Sequence, residues 1–362
     1  MNLERTGAVN DGVGEPDPEQ AVSGPAGHAP LRRPGSVRRT ATMDMTWPGG
    51  LGTQLRIDGN ARDLVTPIDG APFVVATASC SVGIGPMRTI EDIIVEPVHA
   101  GIEQIIGSRG GGHLRGVLDR VIHEDRQEGT PLYLLLDDIS GCSLIAGFAW
   151  SRWRELWMSP PEDAPTSPLI EAAPDAPLSP APPSGPPPSM EGVCIGFAPG
   201  SSALVEVRSG TSTHRLGVIP SLLHPDDPDG WHHLPNLPPV SMRRARRIDV
   251  WREGDTILID AAFQDSAGDP DFGRLAIHEY RLAATADAAT MTLTSVSPDP
   301  RVLPFIECPL AVTTSGRVVG TPLAELRLAV PEKLHSTNGC THLNDALRAL
   351  AEVPVLLGHL SG

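Results

Sequence analysis

Four residues in the later part of the chain have side chains of the kinds that bind metal ions or attack substrates. Cys308 precedes a proline, His278 lies in the sequence Ile-His-Glu-Tyr, and Cys340 and His342 share the sequence Gly-Cys-Thr-His-Leu. Thiolates and imidazoles are ligands that zinc and iron take in proteins. Cys308, Cys340, His342 and His278 therefore form a candidate zinc or iron site, in which His278 is the fourth ligand or a general base.

The spacing of Cys340 and His342 also allows thiol chemistry. The pattern predicts a helix that begins at these residues, where free backbone amides and the helix dipole lower the pKa of a thiol. A thiolate beside an imidazole is the pair that covalent catalysis on a small molecule uses. Free cysteines are, however, among the most buried residue types, and spacing alone brings neither Cys308 nor His278 to Cys340. The alternative is a non-catalytic binding or assembly module with structural cysteines.

Four arginines form a basic cluster in an otherwise acidic chain. They are Arg243, Arg244, Arg246 and Arg247. Guanidinium groups bind a carboxylate or a phosphate through two parallel hydrogen bonds, so the cluster is a candidate anion-binding site. The alternative is a structural role, in which the arginines pair with aspartates on neighbouring strands. The candidate aspartates are Asp249, Asp260 and Asp265. We favour the structural role because a related pattern of arginines and aspartate occurs near the start of the chain.

A polar loop offers a further set of metal-binding side chains. They are His224, Asp226, Asp227, His232 and His233. A surface metal site there is one interpretation, but residues of this kind in loops more often form solvated turns.

Three sequence blocks occur twice in the same order, which predicts an internal duplication. The matching blocks are 38–45 with 243–250, 55–63 with 257–265, and 110–114 with 339–343. In the third block, Gly111 stands where the later copy has Cys340, while His113 matches His342. A metal or thiol site would therefore belong to the later copy alone, and the first copy would have a structural or different role.

The composition limits the class of protein. The chain of 362 residues is long enough for two domains, and its net charge of −16 disfavours nucleic acid and anionic membranes as partners. The longest apolar runs are too short to cross a bilayer. Five cysteines, widely spaced, do not form a disulfide framework. These features predict a cytoplasmic protein that binds no membrane and whose partner is a small molecule or another protein.

The patterns predict an α+β protein of two homologous units packed as a pseudo-dimer. Each unit is predicted to have a mostly antiparallel sheet followed by helices, and residues 132–148 are predicted as a hairpin of two strands. The predicted organisation is a disordered leader at 1–35, a first unit at 36–158, a Pro-rich linker at 159–190 and a second unit at 191–362.

The later copy resembles the bacterial proteins grouped as domain of unknown function 2889. The resemblance covers roughly residues 242–352, and the first copy shares it only in outline. The matching motifs are Arg246-Arg247, Leu258-Ile259-Asp260, His278-Glu279, Cys308-Pro309 and Gly339-Cys340-Thr341-His342-Leu343. The resemblance implies a fold and a residue set of two histidines and two cysteines, and it implies no reaction.

A more distant similarity concerns the order of elements. Antiparallel strands, then a cysteine, then a cysteine that opens the final helix are similar in order to the U-type iron-sulfur scaffold proteins. That family uses a third cysteine, and the loop where it is expected contains none. His278, His342 or Asp265 would have to complete four ligands.

Overall fold

In the described residues, strands from both halves of the chain form one antiparallel sheet. The computed structural model describes residues 24–50, 52–158, 190–209 and 215–360. The strands are β1 (Ser36–Thr46), β2 (Leu55–Thr66), β3 (Phe73–Ile84), β4 (Ile90–Glu96), β5 (Gly217–Val218), β6 (Ser241–Glu253), β7 (Thr256–Asp269), β8 (Gly273–Asp287) and β9 (Thr292–Val302). Their order is β4-β3-β2-β1-β6-β7-β8, and both β5 and β9 pair with β8. The predicted α+β class with a large antiparallel sheet is confirmed.

The strands β1 and β6 form the centre of the sheet. They pair antiparallel along their length, with Ala41 opposite Arg246. Almost every residue of β1 is buried, which means that both faces of the sheet are covered, because side chains of a strand alternate between faces. Helices cover one face. Loop residues cover the other, where Trp231 and Ala29 pack against Ala245 of β6.

The described residues form eight α-helices, which follow or interrupt the strands. They are α1 (Leu114–Val121), α2 (His123–Glu128), α3 (Pro131–Ile145), α4 (Phe148–Met158), α5 (Ser202–Ser209), α6 (Leu326–Lys333), α7 (Thr341–Arg348) and α8 (Val353–Gly358). Helix α3 packs on β1, β2 and β3, α7 on β7 and β8, and α8 on β1 and β6. The helix α7 begins one residue after Cys340, as the sequence predicts.

The predicted hairpin at 132–148 is wrong, because this segment contains the buried helix α3. Thr130 caps the helix: its side chain accepts a hydrogen bond from the Tyr133 amide, and a proline occupies the first turn. The acidic pair Asp137 and Asp138, which sequence analysis assigns to a turn, lies inside the helix and binds buried arginines. The two aspartates that resemble a turn signal in the sequence therefore form ion pairs inside a helix.

Among the residues that the structure describes, one helical stretch is long and apolar enough to cross a bilayer by composition. It is Pro131–Trp153, and 72% of its most apolar window is buried within the protein. Burial of this kind is typical of a helix that packs on the core of a globular fold. The sequence patterns predict strands over these residues and no stretch long enough to cross a bilayer. The cytoplasmic location stays a prediction.

The two four-strand meanders, β1–β4 and β6–β9, share irregularities at matching positions. Val75 is an extra residue opposite the Asp63/Leu64 step of β2, and Ile277 is an extra residue opposite the Asp265/Ser266 step of β7. The last strand of each meander accepts a similar backbone hydrogen bond. Ile90 and Leu293 each accept from a glycine amide at 2.8 Å, the donors being Gly107 and Gly320.

The predicted domain bounds stay a prediction. Residues 24–35 of the predicted leader are described and contact the second half of the chain: the Ala26 amide donates to Glu279 of β8, and Arg32 pairs with Asp227 in the loop before β6. Residues 1–23 and the predicted linker, except Met190, lie outside the described residues.

Candidate functional site

Asp265 and His278 face each other on adjacent strands. They are direct partners in the β7–β8 pairing, at the point where Ile277 bulges out of β8. A β-bulge adds one residue on one strand and changes the direction of the neighbouring side chains. His278 Nδ1 lies 3.4 Å from Asp265 Oδ2. This nitrogen is buried and makes no hydrogen bond to any described residue.

His342 reaches the same carboxylate from the first turn of α7. Its Nε2 lies 3.8 Å from Asp265 Oδ2, and its ring stacks on the His278 ring with 3.4 Å between centroids. The ligand atoms of Asp265, His278 and His342 all lie within 4.8 Å of one another. In the described part of the chain they are the one group of three or more such side chains that meets this distance.

The charge state of the cluster suits metal binding. Burial alone would raise the pKa of Asp265, but the Arg244 guanidinium holds that pKa well below its usual range. Burial, followed by the neighbouring His278 ring, holds the pKa of His342 well below its usual range. At neutral pH the cluster therefore contains an ionised carboxylate and a neutral His342 ring, which has a free lone pair.

Arg244 fixes the orientation of the Asp265 carboxylate. Its Nε and Nη2 donate to Asp265 Oδ1 and Oδ2 at 2.8 and 3.0 Å. Asp138 of α3 balances the charge, because it lies 3.2 Å from Arg244 Nη1 and accepts two hydrogen bonds of 2.6 Å from Arg246. A helix of the first half of the chain thereby supports the carboxylate of the second half.

The cysteines lie next to this cluster. Cys340 Sγ is 4.0 Å from His342 Nδ1, on the opposite edge of the ring from Asp265. Cys308 and Cys194 lie together around Gly196, where a Cβ would come 2.9 Å from Cys308 Sγ and 3.8 Å from Cys194 Sγ. The structure thus brings the predicted residues to one region, but the thiols stand outside the close group of ligand atoms.

Burial raises the pKa of the thiols, so they are not activated as nucleophiles. Burial raises the pKa of Cys340 to about 11, and the nearby Cys194 adds to the effect. Burial also raises the pKa of Cys308 well above its usual range. The predicted acidification of Cys340 by the helix start is wrong in direction, because desolvation of a fully buried thiolate costs more than the helix dipole returns.

A mostly apolar cavity of about 470 Å³ opens beside the two histidines. His278, His342 and Thr341 form its polar end, and Cys194 and Cys308 lie in its wall. Its size is in the range of sites for small molecules. The histidine cluster is therefore accessible to a ligand of that size.

The arginine cluster is paired with carboxylates of the chain itself. Arg244 binds Asp265 and Asp138, and Arg246 binds Asp138. The remaining pairs are Arg243 with Asp44, and Arg247 with Asp249 and Asp260. This pairing supports the structural role over a site for an external anion.

The loop residues proposed as a surface metal site are dispersed. His232 is buried between the hydroxyls of Thr40 and Thr42, and Asp227 pairs with Arg32. His224 Nδ1 accepts from the Asp226 amide. The loop functions as a cover of the sheet.

Cys194 is not among the site residues that the sequence predicts, and the sequence indicates Asp265 chiefly as an arginine partner. The third cysteine follows the Pro-rich segment, far in sequence from the others, so no spacing could connect it. Asp265 had a usable signal, because a strand pairing between 256–265 and 277–282 would place it near His278.

Residues 242–356 match the family model whose description is "Protein of unknown function (DUF2889)". The match begins in β6 and ends in α8, so it includes Asp265, His278, Cys308, Cys340 and His342. No curated protein and no solved structure matches the chain.

Proposed function

We propose that the second half of the chain binds one zinc or iron ion through Asp265, His278 and His342 and presents it to a small molecule in the adjoining cavity. Two imidazoles and one carboxylate are a donor set that both metals take. The observation that carries the proposal is the position of Asp265 Oδ2, which lies 3.4 Å from His278 Nδ1 and 3.8 Å from His342 Nε2.

The carboxylate can serve the metal and Arg244 together. An ionised carboxylate has about four acceptor positions on its two oxygens, and Arg244 uses one on each. Asp265 Oδ2 therefore keeps an acceptor position for an ion. His278 Nδ1, buried without a hydrogen bond to any described residue, supports this assignment, because buried polar atoms of folded proteins normally have a partner.

Cys340 and Thr341 would orient His342. The Nδ1 atom of this ring lies 4.0 Å from Cys340 Sγ and 3.4 Å from Thr341 Oγ1. A proton on Nδ1 leaves the Nε2 lone pair directed to Asp265 and the ion. Metal-bound histidines commonly use their second nitrogen in this way. Cys340 would then be a supporting residue, in contrast to the ligand role that its sequence context suggests.

A site with three protein ligands leaves a coordination position open, as in metal sites that do chemistry. When bound, the ion would polarise an oxygen of the small molecule or lower the pKa of a bound water. The chain's own contribution is to fix the carboxylate through Arg244, to keep His342 neutral by burial, and to exclude water through the apolar cavity wall.

Metal content of protein purified without chelator tests the proposal. We expect about one zinc or iron ion per chain by elemental analysis, and at least tenfold less in His278→Ala and in His342→Ala. His359→Ala is the matched control, because this histidine lies 3.9 Å from the buried Asp63 of the first half. Its metal content should equal that of the wild type. Circular dichroism would verify that each variant folds.

Two results would overturn the metal proposal. One is wild-type protein that holds less than a tenth of an ion after reconstitution with zinc or ferrous iron. The other is unchanged metal content in both histidine variants. Either result would favour the alternative of a binding or assembly module with structural cysteines, which the burial of Cys308 and Cys340 supports. Thiol catalysis at Cys340 is the least favoured alternative, since its pKa is raised.

We also propose that the two meanders are homologous units from a duplication. The matched bulges at Val75 and Ile277 support this. Each bulge lies opposite the step between a buried aspartate of the preceding strand and the residue after it. The aspartates have the same partner type at the same place: Arg39 binds Asp63 and Arg244 binds Asp265, each through two hydrogen bonds.

A further inference from the structure

The cavity beside the histidines has walls from both halves of the chain. In the first half, Leu144 lies in the last turn of α3, Gly147 lies between α3 and α4, and Phe148 begins α4. Ile277 and Phe305 belong to the second half. The apolar side of the site is therefore incomplete without the first half.

The described lining of the cavity is mostly apolar, and its polar residues are His278, His342, Thr341 and Ser151. Among the described residues that line it there is no aspartate, glutamate, lysine or arginine. Asp265, which both histidines approach, is paired with Arg244. Phe197 and Phe305 form an aromatic corner, with ring centroids 5.6 Å apart in an edge-to-face arrangement. This arrangement suits the edge or face of a flat apolar ring.

We infer that this cavity binds an uncharged, largely apolar small molecule of aromatic type, with one hydroxyl or carbonyl group directed to His278 and His342. A charged ligand would lose its hydration without gaining a counter-charge from the described wall. A single hydroxyl or carbonyl finds a hydrogen-bond partner in the imidazole rings of His278 and His342, which line the cavity. The inference deepens the proposed function, whose histidines it shares, but the apolar binding itself requires no metal.

Gly147 provides a direct way to fill the cavity. A Cβ at Gly147 would meet no atom within 4 Å, and its backbone angle is one that other residues adopt. Gly316 is a matched control: it has the same two properties and is exposed like Gly147, but it does not line the cavity. Gly147→Leu should occupy the space of the ligand, whereas Gly316→Leu should leave it open.

Two fluorescent probes that share their ring system test the inference on the full chain. N-phenyl-1-naphthylamine is neutral, and 8-anilino-1-naphthalenesulfonate carries a sulfonate. With protein treated with chelator, we expect the neutral probe to bind at one site per chain and the sulfonate to bind at least tenfold more weakly. Gly147→Leu should weaken the neutral probe at least tenfold, and Gly316→Leu should not change it.

Equal affinity for both probes, or neutral-probe binding that Gly147→Leu leaves intact, would overturn the inference. The titration also separates this inference from the metal proposal. Probe binding in a protein that takes up no zinc or iron would retain the apolar site and remove the ion. An ion bound by His278 and His342 in a protein that does not bind the neutral probe would do the reverse.

Discussion

Asp63 in the first half and Asp265 in the second half are a matched pair with different surroundings. Both are fully buried, and each accepts two hydrogen bonds from an arginine of a central strand. The residue directly opposite Asp63 on β3 is Ala76, whereas the residue opposite Asp265 on β8 is His278. The same scaffold therefore carries an imidazole in one half and a methyl group in the other.

The first half uses its carboxylate for structure. Arg39 also binds Glu352, at 2.6 Å, and Glu352 in turn binds Arg327. The ion pairs thereby tie the helices at the end of the chain to β1. The arginine and aspartate pair is therefore a structural element of both halves, and His278, where the first half has Ala76, distinguishes the candidate site from its counterpart.

The largest effect is expected from removal of either buried carboxylate. Asp63→Asn and Asp265→Asn each remove one of the carboxylate charges that a buried arginine binds, which costs about 3 kcal/mol in the free energy of unfolding. Chemical denaturation measures this loss, and Asp255→Asn is the control, since that side chain is 98% exposed and should change stability by less than about 0.5 kcal/mol. A loss confined to one of the two variants would contradict a shared structural role.

An intermediate effect is expected where the two halves meet on the other face of the sheet. Burial, followed by Arg62 and Arg243, lowers the pKa of His232 to about 3. The unfolded chain takes up this proton near its ordinary pKa of about 6.5, while the folded chain stays neutral. Stability contributed by neutral His232 is therefore present above about pH 6.5 and is lost as the pH falls toward 3.

The predicted slope is about 1.4 kcal/mol per pH unit for this histidine between roughly pH 6 and 4. Denaturation midpoints measured across this range should depend less on pH in His232→Gln than in the wild type. His335→Gln is the control, because His335 is exposed. Equal slopes in all three proteins would show that His232 is not held neutral.

The smallest effect on stability is expected from an attempt to give the first half the missing imidazole. Ala76→His would place a histidine opposite Asp63, with His359 Nε2 already 3.9 Å from that carboxylate. If the imidazole is what distinguishes the halves, the metal content should rise from about one to about two ions per chain. The second variant His359→Ala, in the Ala76→His background, should return it to one. The change in unfolding free energy should stay within about 1 kcal/mol, because Ala76 is only partly buried.

The sequence was sufficient for the α+β class with its mostly antiparallel sheet, the helix after Cys340 and the two histidines of the candidate site. These follow from local patterns, such as the alternation along 277–282, or from motifs. The hairpin at 132–148 failed because Asp137 and Asp138 have the composition of a turn, and their arginine partners lie far away in sequence. The pKa of Cys340 could not be predicted, since its direction depends on burial by the whole fold.

The pairing of β1 with β6 also has a consequence for how the chain is made. The start of β1 at Ser36 and the start of β6 at Ser241 are 241 − 36 = 205 residues apart, and ribosomes add roughly 5 to 20 residues per second. For roughly ten to forty seconds of synthesis, β1 would therefore be an exposed edge strand, whose backbone N–H and C=O groups have no partner on the side where β6 later pairs. Chaperones that shield such edges during translation would have their greatest effect in that interval.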